Sequence, residues 1–262
     1  MIHSHTQFCD GHATMQEMAE AAFLAGIKTY GFSPHSPLPI PSPCNMREED
    51  VPVFLTEADR LREMYDGRMR ILKGMEIDFL SSSWGPHISY FSDLPLDYRI
   101  GSVHFVPAQS GEPIDCDGSA ARFRNYLRDY FHSDLNYVVD KFFSQVKEMI
   151  ALGGFDVLGH FDKIAANASS VNPLIENSDS YLRHIEEVVG MAVDKNITIE
   201  INTKAFYKRH RFFPALRWWE ILLNSNADII INSDAHDPQL VTAGIREASL
   251  LLGKLSAFRH TE

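Results

Sequence analysis

The sequence predicts an α/β fold in which seven parallel strands, alternating with helices, form a closed or nearly closed barrel. Strand-like runs and helical patterns follow each other along nearly the whole chain, as right-handed βαβ crossovers require. No change in composition marks a linker, so residues 1–262 are predicted to form a single domain. Acidic and imidazole side chains fall where predicted strands end, and those ends build the mouth of a βα barrel.

The predicted strands are apolar runs bounded by polar or turn-forming residues. They are a short strand that ends at His5 and the runs 27–33, 70–79, 98–105, 155–161, 197–202 and 227–234. Five prolines lie between residues 34 and 43, which excludes regular structure there and predicts a long loop after the second strand. A second long loop, rich in Gly, Pro and Asp, follows the fourth strand.

The helices between these strands carry recognisable start and stop signals. Thr14 and Glu17 have the spacing of a capping box, and Gly26 is the expected end of the first helix. The second helix, 48–66, contains Pro52, which a helix tolerates only in its first turn. Further helices are predicted after Pro86 and over 120–152, 179–195, 214–225 and 238–254.

Composition and charge exclude several classes of protein. The formal net charge is −11 and the Lys and Arg residues are scattered, which argues against nucleic-acid binding. No run of about 18 apolar residues could span a bilayer, and no secretory signal is recognisable. Cys9, Cys44 and Cys116 lack the spacing of a disulfide framework, so we expect a cytoplasmic protein. The oligomeric state stays open, and a small phosphorylated substrate would require bound cations to reverse the local field.

The acidic and imidazole residues at the predicted strand ends form a candidate metal site. They are His3, His5, His35, Glu76, His104, His160, Asp234 and His236. His3 and His5 lie two residues apart on a strand, so both imidazoles point to one face and can bind one ion. Glu76 lies in an apolar strand, where a carboxylate is costly to bury unless it is paired or coordinated. Imidazoles with a carboxylate suit Zn²⁺, Mn²⁺ or Fe²⁺ without choosing among them.

Single members of this set have a simpler interpretation. A lone His-x-His pair, or His160 alone, is more often a buried and hydrogen-bonded histidine than a ligand, and only the coincidence of the whole set at one end favours metal. Asp10 and His12 both lie on the loop after the first strand, and the residues alone leave open which of them reaches an ion. The remaining histidines are predicted to be surface or hydrogen-bonded residues: His87, His132, His184, His210 and His260.

A series of motifs, spread over nearly the whole chain, extends this argument. In order they are HSHTQFCDGH, GFSPHSPLP, GMEIDF, DYRIGSVHF, VLGHFD, EINT and INSDAH. The series resembles the polymerase and histidinol phosphatase (PHP) superfamily, and within it the monofunctional histidinol-phosphatases. The resemblance implies a distorted (β/α)7 TIM-like barrel with its metal site at the C-terminal ends of the strands.

The resemblance also implies three divalent metal ions. The implied ligand sets are His3, His5, Glu76 and Asp234; Glu76, His104 and His160; and Asp10, His35 and His236. At the first-loop position the family has either His or Asp, and Asp10 in FCDG fits the Asp variant. Asp10 is therefore the predicted ligand, with His12 as the alternative.

The implied activity is hydrolysis of a phosphoric monoester, L-histidinol phosphate, to L-histidinol and phosphate in histidine biosynthesis. The nucleophile would be water activated by the metal ions, so neither a Ser nor a Cys nucleophile is required. Asp10, His236 or a water molecule could protonate the leaving alkoxide. Cationic residues on loops at the same barrel end are candidates for binding the substrate, although each could instead be a solvated loop charge: Arg47, Lys163, Lys204 and Arg209.

Two other functions fit parts of the pattern. A nuclease or nucleotide phosphatase of the same superfamily is disfavoured by the scattered basic residues and by the lack of a strand-binding domain. A non-catalytic metal-binding protein would not need a barrel mouth flanked by long loops. Hydrolysis of single-stranded DNA would favour the first alternative, and metal binding without phosphatase activity the second.

Overall fold

A parallel sheet of six strands, curled into an incomplete barrel, carries the strand ends singled out above. The computed structural model describes residues 1–259, with side chains to residue 257. The strands are β1 (Thr29–Phe32), β2 (Arg70–Asp78), β3 (Tyr98–Ser102), β4 (Phe105–Pro107), β5 (Pro113–Asp115), β6 (Val157–Leu158), β7 (Thr198–Asn202) and β8 (Ile229–Asn232). The sheet order is β1-β2-β3-β6-β7-β8, and β4 pairs only with β5 in an antiparallel hairpin. The predicted α/β barrel class is confirmed.

The first residues of the chain lie between the two outer strands of this sheet. Ser4 forms an isolated parallel bridge with Ala235, just past β8. On the other side, the Ser33 amide, just past β1, donates to the Ser4 carbonyl at 3.0 Å. The predicted first strand is therefore present only as a single bridging position, because so short a segment pairs at one point. That position is nevertheless enough to bring the start of the chain to the mouth of the barrel.

Ten helices surround the sheet within residues 1–259. They are α1 (Met15–Leu24), α2 (Val51–Met64), α3 (Ser89–Ser92), α4 (Ala120–Phe131), α5 (Leu135–Leu152), α6 (Ala165–Val171), α7 (Asp179–Asp194), α8 (Phe206–Arg209), α9 (Trp219–Asn224) and α10 (Ile245–Arg259). The capping box of Thr14 and Glu17 is confirmed at the start of α1, and Pro52 lies in the first turn of α2. None of these described helices is long and apolar enough to span a bilayer.

The helices predicted over 120–152 are confirmed as α4 and α5, which are separated where His132 and Ser133 adopt left-handed backbone conformations, with φ of 51° and 62°. Other predictions are wrong for identifiable reasons. The predicted helix 238–254 begins only at Ile245, after Gly244 with φ of 72°. The hairpin β4–β5 and the short helices α6 and α8 were not predicted. Segments this short contain too few residues to show a period in the sequence.

Apolar side chains close the amino-terminal end of the barrel. Tyr98 and Ile100 of β3 pack there with Val157 and with the partly buried Ile2. The Tyr98 ring lies directly against Gly74 of β2, where an added Cβ would come within 2.1 Å of the ring. With this end filled by packed side chains, polar groups have room only at the opposite, carboxyl end.

Candidate metal centre

All nine predicted ligands converge at the carboxyl end of the barrel. They come from the first segment (His3, His5 and Asp10), from β2 (Glu76) and from the residues that follow β1, β3, β6 and β8 (His35, His104, His160, Asp234 and His236). Eight of the nine are buried, and the Asp10 side chain is 30% exposed. The barrel thus brings residues from six separate parts of the sequence into one cluster. Metal binding by these residues stays a prediction.

Glu76 stands at the centre of the cluster, with imidazoles on both of its carboxylate oxygens. Its Oε2 lies 3.2 Å from His3 Nε2, 3.4 Å from His5 Nε2 and 3.1 Å from His35 Nδ1. Its Oε1 lies 2.8 Å from His160 Nε2. Burial by itself raises the pKa of this carboxyl, but the imidazoles of His35, His3 and the nearby His104 hold it well below its usual value. Glu76 is therefore a carboxylate suited to bridge two ions.

The structure distinguishes the two candidates on the first loop. Asp10 Oδ1 lies 3.2 Å from His236 Nε2 and 3.6 Å from His5 Nδ1, so its carboxylate faces the cluster. His12 instead lies 3.1 Å from Asp237, and its side chain is 69% exposed. The geometry therefore agrees with Asp10 rather than His12 as the loop residue of the cluster.

Within residues 1–259, four groups of donor atoms are close enough together to hold an ion. They are His5, Asp10, His35 and His236; His3, Glu76 and His160; His3, His5 and Asp234; and His35, Glu76 and His104. The groups contain the same nine residues that the sequence singled out, in overlapping sets. The implied set of Asp10, His35 and His236 is present with His5 added, the first implied set is present without Glu76, and His104 and His160 of the remaining set fall in two different groups with Glu76.

Several buried nitrogen and oxygen atoms of the cluster make no hydrogen bond. A bound cation would give these atoms a partner. Among the described residues, His3 Nε2, His5 Nε2, His35 Nδ1, Asp10 Oδ1 and Glu76 Oε2 have no hydrogen-bond partner. These atoms lie 3.1–3.4 Å from an oppositely charged or imidazole neighbour, but a buried polar atom that has lost water and makes no hydrogen bond is still costly. Their mixture of imidazole nitrogens and carboxylate oxygens fits a borderline divalent ion such as Zn²⁺, Mn²⁺ or Fe²⁺.

Two carboxylates that were not predicted as site residues orient the imidazoles from behind. Glu200 of β7 lies 2.7 Å from His3 Nδ1, and Asp78 of β2 lies 2.6 Å from His104 Nδ1. A carboxylate at Nδ1 keeps the proton there and leaves Nε2 free to bind an ion. Both residues are carboxylates in apolar strands, so the burial argument applied to Glu76 could have found them.

Two of the predicted cations lie beside the cluster. Lys204 Nζ is 3.0 Å from His236 Nε2 and 3.3 Å from Asp234 Oδ1. Lys163 Nζ is 3.4 Å from His104 Nε2 and 2.9 Å from Asp117. Burial by itself lowers the pKa of Lys163, but Asp117 and the other carboxylates nearby hold it well above its usual value. Lys163 can therefore present a positive charge to an anion at the cluster, and the Lys204 amine faces the same cluster.

The other two predicted cations differ in position. Arg209 lines a cavity at the mouth with an exposed side chain. The structure does not bring Arg47 to the cluster, because its guanidinium pairs with Glu49 at 3.0 Å and Asp50 at 2.8 Å and is 69% exposed. The acidic 3-10 turn Glu48–Asp50, which precedes α2, thus neutralises Arg47 at the surface.

Two cavities open from the cluster and share Asp117 and Lys204. The larger, about 340 Å³, is lined by Lys163, Lys204, Arg209 and His236 and has apolar walls that include Tyr207 and Leu240. The smaller, about 220 Å³, is lined mainly by polar residues, including Asp10, His35, Asn45 and Asp115. Volumes of this size suit a small molecule rather than a polymer.

Four of the five histidines predicted to lie outside the site are outside it. His132 and His210 are exposed, and His87 and His184 are hydrogen-bonded; His260 lies outside the described residues.

Comparison with known families agrees with this geometry. The model of the PHP domain matches residues 2–204, which include seven of the nine converging residues. The chain belongs to the PHP domain family. Asp234 and His236 lie beyond the matched range, so it is the structure that joins them to the rest of this PHP site.

Two full-length relatives of this PHP protein carry the name "Probable histidinol-phosphatase". The one from Schizosaccharomyces pombe is 27% identical and the match covers 96% of this chain and 85% of the relative. The one from Deinococcus radiodurans is 26% identical, over 98% of this chain and 95% of the relative.

Solved structures share the PHP fold at low sequence identity. A protein from Listeria monocytogenes superposes with a TM-score of 0.84 at 18% identity, covering 94% of this chain and 98% of its own. The histidinol phosphate phosphatase of Lactococcus lactis, solved in complex with zinc, L-histidinol and phosphate, superposes with a TM-score of 0.77 at 19% identity, covering 97% of this chain and 92% of its own. At these identities the likeness shows the fold.

Proposed function

We propose that this PHP protein is a metal-dependent phosphomonoester hydrolase that converts L-histidinol phosphate into L-histidinol and phosphate. The observation that carries the proposal is the buried cluster around Glu76, in which nine carboxylate and imidazole residues leave donor atoms unpaired. Three divalent ions, held in the sets implied by the family, would use these atoms. Bound there, they would lower the pKa of water to supply a nucleophile and would neutralise phosphate charge.

The remaining steps belong to side chains around the cluster. Lys204 and Lys163 face the cluster with charged amines, so they are suited to donate to non-bridging phosphate oxygens. Asp10 and His236 lie 3.2 Å apart at the open side of the cluster and are predicted ligands of the third ion, so they are suited to orient a water molecule that protonates the leaving alkoxide. In this scheme Arg209 attracts the anionic substrate from the rim, and Arg47 takes no part.

The identity of the alcohol is supported by the cavity and by the relatives. The 340 Å³ cavity adjoins both lysines and offers an aromatic ring, Tyr207, and aliphatic walls to an organic group of the size of histidinol. Relatives that match this chain over nearly its full length carry the histidinol-phosphatase name, and a protein of the same fold binds L-histidinol and phosphate together with zinc.

Phosphate release tests the proposal directly. Chelated protein, reconstituted separately with Mn²⁺, Zn²⁺ or Fe²⁺, is assayed on L-histidinol phosphate, nucleotides, sugar phosphates and single-stranded DNA. We expect metal-dependent hydrolysis with a clear preference for L-histidinol phosphate. His160→Asn, which removes an imidazole from Glu76, should abolish activity and lower the number of ions bound per chain.

The matched control is His132→Asn. His132 is exposed, ends α4 in a left-handed conformation that Asn also adopts readily, and is not part of the cluster. This variant should keep wild-type activity and metal content. Preference for nucleotides or single-stranded DNA would contradict L-histidinol phosphate as the substrate. Bound metal without any phosphomonoester hydrolysis would contradict the proposal that the protein is an enzyme.

A further inference from the structure

The aspartates at the mouth of the barrel differ in whether they already have a cationic partner. Six of them line the two cavities: Asp10, Asp78, Asp115, Asp117, Asp234 and Asp237. Five are engaged with the cluster or with a cation: Asp10 with His236, Asp78 with His104, Asp115 with Arg122, Asp117 with Lys163 and Asp234 with Lys204. That leaves Asp237 to be accounted for.

Asp237 has only a weak partner in the described part of the chain. Its Oδ2 lies 3.1 Å from Nδ1 of the exposed His12, and no lysine or arginine nitrogen of residues 1–257 forms an ion pair with it. Asp237 precedes a short 3-10 helix, Pro238–Leu240, but its side chain does not cap that helix. The carboxylate is 43% exposed and lines the larger cavity, so neither a helix cap nor pairing with a lysine or arginine of residues 1–257 accounts for it.

The rim that carries Asp237 is held in position by the backbone. The His12 amide donates to the His236 carbonyl at 2.8 Å, which joins the first loop to the segment after β8. Asp237 directly follows His236, a member of the cluster, so its backbone lies at a defined place beside the proposed phosphate site, and its carboxylate lines the larger cavity. A carboxylate held on such a fixed segment can recognise one particular substituent of a bound ester.

The cations of the same cavity define what that substituent is. Lys163, Lys204, Lys208 and Arg209 all line it, and they would repel a positively charged group near them while attracting phosphate. A substrate whose ammonium group lies close to its phosphate therefore needs a carboxylate that these cations do not already neutralise. Asp237 is the aspartate of this cavity that no lysine or arginine neutralises among the described residues.

We propose that Asp237 binds the primary ammonium group of the substrate and thereby selects phosphate esters of amino alcohols over esters without an amine. This inference rests on the proposed function and deepens it, because L-histidinol phosphate carries one such ammonium group, which is charged at about pH 7. The His12 imidazole gives way to the ammonium, which is the stronger partner for the carboxylate.

The test compares two substrates that differ only in the amine. They are L-histidinol phosphate and 3-(imidazol-4-yl)propyl phosphate, assayed with the metal-loaded wild-type protein and with Asp237→Asn. The wild-type protein should prefer the amine-bearing ester by about tenfold or more in kcat/KM, the range of one charge-assisted hydrogen bond at a half-exposed site. In Asp237→Asn the preference should fall about tenfold, mainly through KM, and Asp237→Glu should restore part of it.

Two controls make the result specific. Asp66→Asn, the same substitution in a groove beside Arg70 at the start of β2, should keep the wild-type preference. The affinity of the metal-loaded proteins for L-histidinol, measured by calorimetry, should fall in Asp237→Asn by about the same factor as KM rises. The metal content of this variant should stay unchanged.

The failures are distinguishable. If the wild-type protein hydrolyses L-histidinol phosphate but Asp237→Asn keeps the preference, or lowers kcat/KM for both esters equally, the inference about Asp237 is wrong and the proposed function stands. If the wild-type protein does not hydrolyse L-histidinol phosphate, the proposed function and this inference are both overturned.

Discussion

Glu200 offers the sharpest test of how the cluster is held together. Its side chain is fully buried, and each carboxylate oxygen accepts two hydrogen bonds. Oε1 accepts from His3 Nδ1 at 2.7 Å and from Asn232 Nδ2 at 3.0 Å. Oε2 accepts from the His160 amide at 3.1 Å and from Asn202 Nδ2 at 3.0 Å. All four partners are donors, so replacement by glutamine puts an NH₂ group against two of them.

Neither orientation of the new amide in Glu200→Gln is satisfactory. If NH₂ faces the His160 amide, two donors lose their acceptor, and a backbone N–H cannot reverse its role. If NH₂ faces His3 Nδ1, the imidazole must move its proton to Nε2 and can no longer use that nitrogen to bind an ion. Asn232 cannot adapt by turning over, because its Oδ1 already accepts from the Ile2 amide at 2.8 Å.

Two lost hydrogen bonds at a fully buried site, each costing about 1–2 kcal/mol, lower the free energy of unfolding of metal-free Glu200→Gln by roughly 2–4 kcal/mol. Loss of the carboxylate behind His3 should weaken metal binding about 10–100-fold, and activity should fall at limiting metal and recover partly in excess. Urea unfolding of the chelated protein and competition with a metal indicator measure the two effects. Glu220→Gln on the surface of α9 is the matched control and should change neither. Wild-type metal affinity in Glu200→Gln would refute the reasoning.

Four further outcomes follow from the described contacts. Gly74→Ala should lower the free energy of unfolding by about 1–3 kcal/mol in urea, because the added Cβ would lie 2.1 Å from the Tyr98 ring; a loss below about 0.5 kcal/mol would contradict that packing. Lys204→Gln should raise KM for the phosphate ester about tenfold, because it removes a charged donor to phosphate; an unchanged KM would show that Lys204 does not bind the phosphate group. Arg211→Lys should cost about 1–3 kcal/mol of stability, since Glu176 binds the guanidinium through both oxygens at 2.9 and 2.8 Å and lysine cannot reproduce that pairing; a wild-type urea midpoint would argue against it. Chelation should abolish phosphate release and lower the thermal unfolding temperature, and re-addition of metal should restore both, whereas activity that survives chelation would contradict a metal-dependent reaction.

Much of the candidate site could be predicted because strand geometry is regular. The period of two puts His3 and His5 on one face of the first segment, and parallel strands put their carboxyl ends at one edge of the sheet. Glu76 was recognisable because an unpaired carboxylate is costly in an apolar strand. The same reasoning, applied to Asp78 and Glu200, would have found both residues that support the imidazoles.

Loop side chains were harder to predict, because their direction depends on partners that the sequence does not rank. Arg47 lies on a loop at the correct end of the barrel, yet Glu49 and Asp50 in the next turn pair with it and keep it at the surface. Asp10 and His12 are equally close to the first segment in sequence, and only the folded loop turns one toward the cluster and the other toward Asp237.

By itself, the sequence determined the barrel class, the end of the barrel at which the acidic and imidazole residues meet and the residue types of the predicted metal cluster, because each depends on local periodicity and on the cost of burying charge. Only the tertiary structure decided which atoms meet at Glu76, how Glu200 and Asp78 orient the imidazoles behind it, and which aspartate at the mouth pairs with no lysine or arginine of residues 1–257. Those features depend on distances of a few ångströms between residues far apart in the chain, and such distances are set only when the strands close into a barrel.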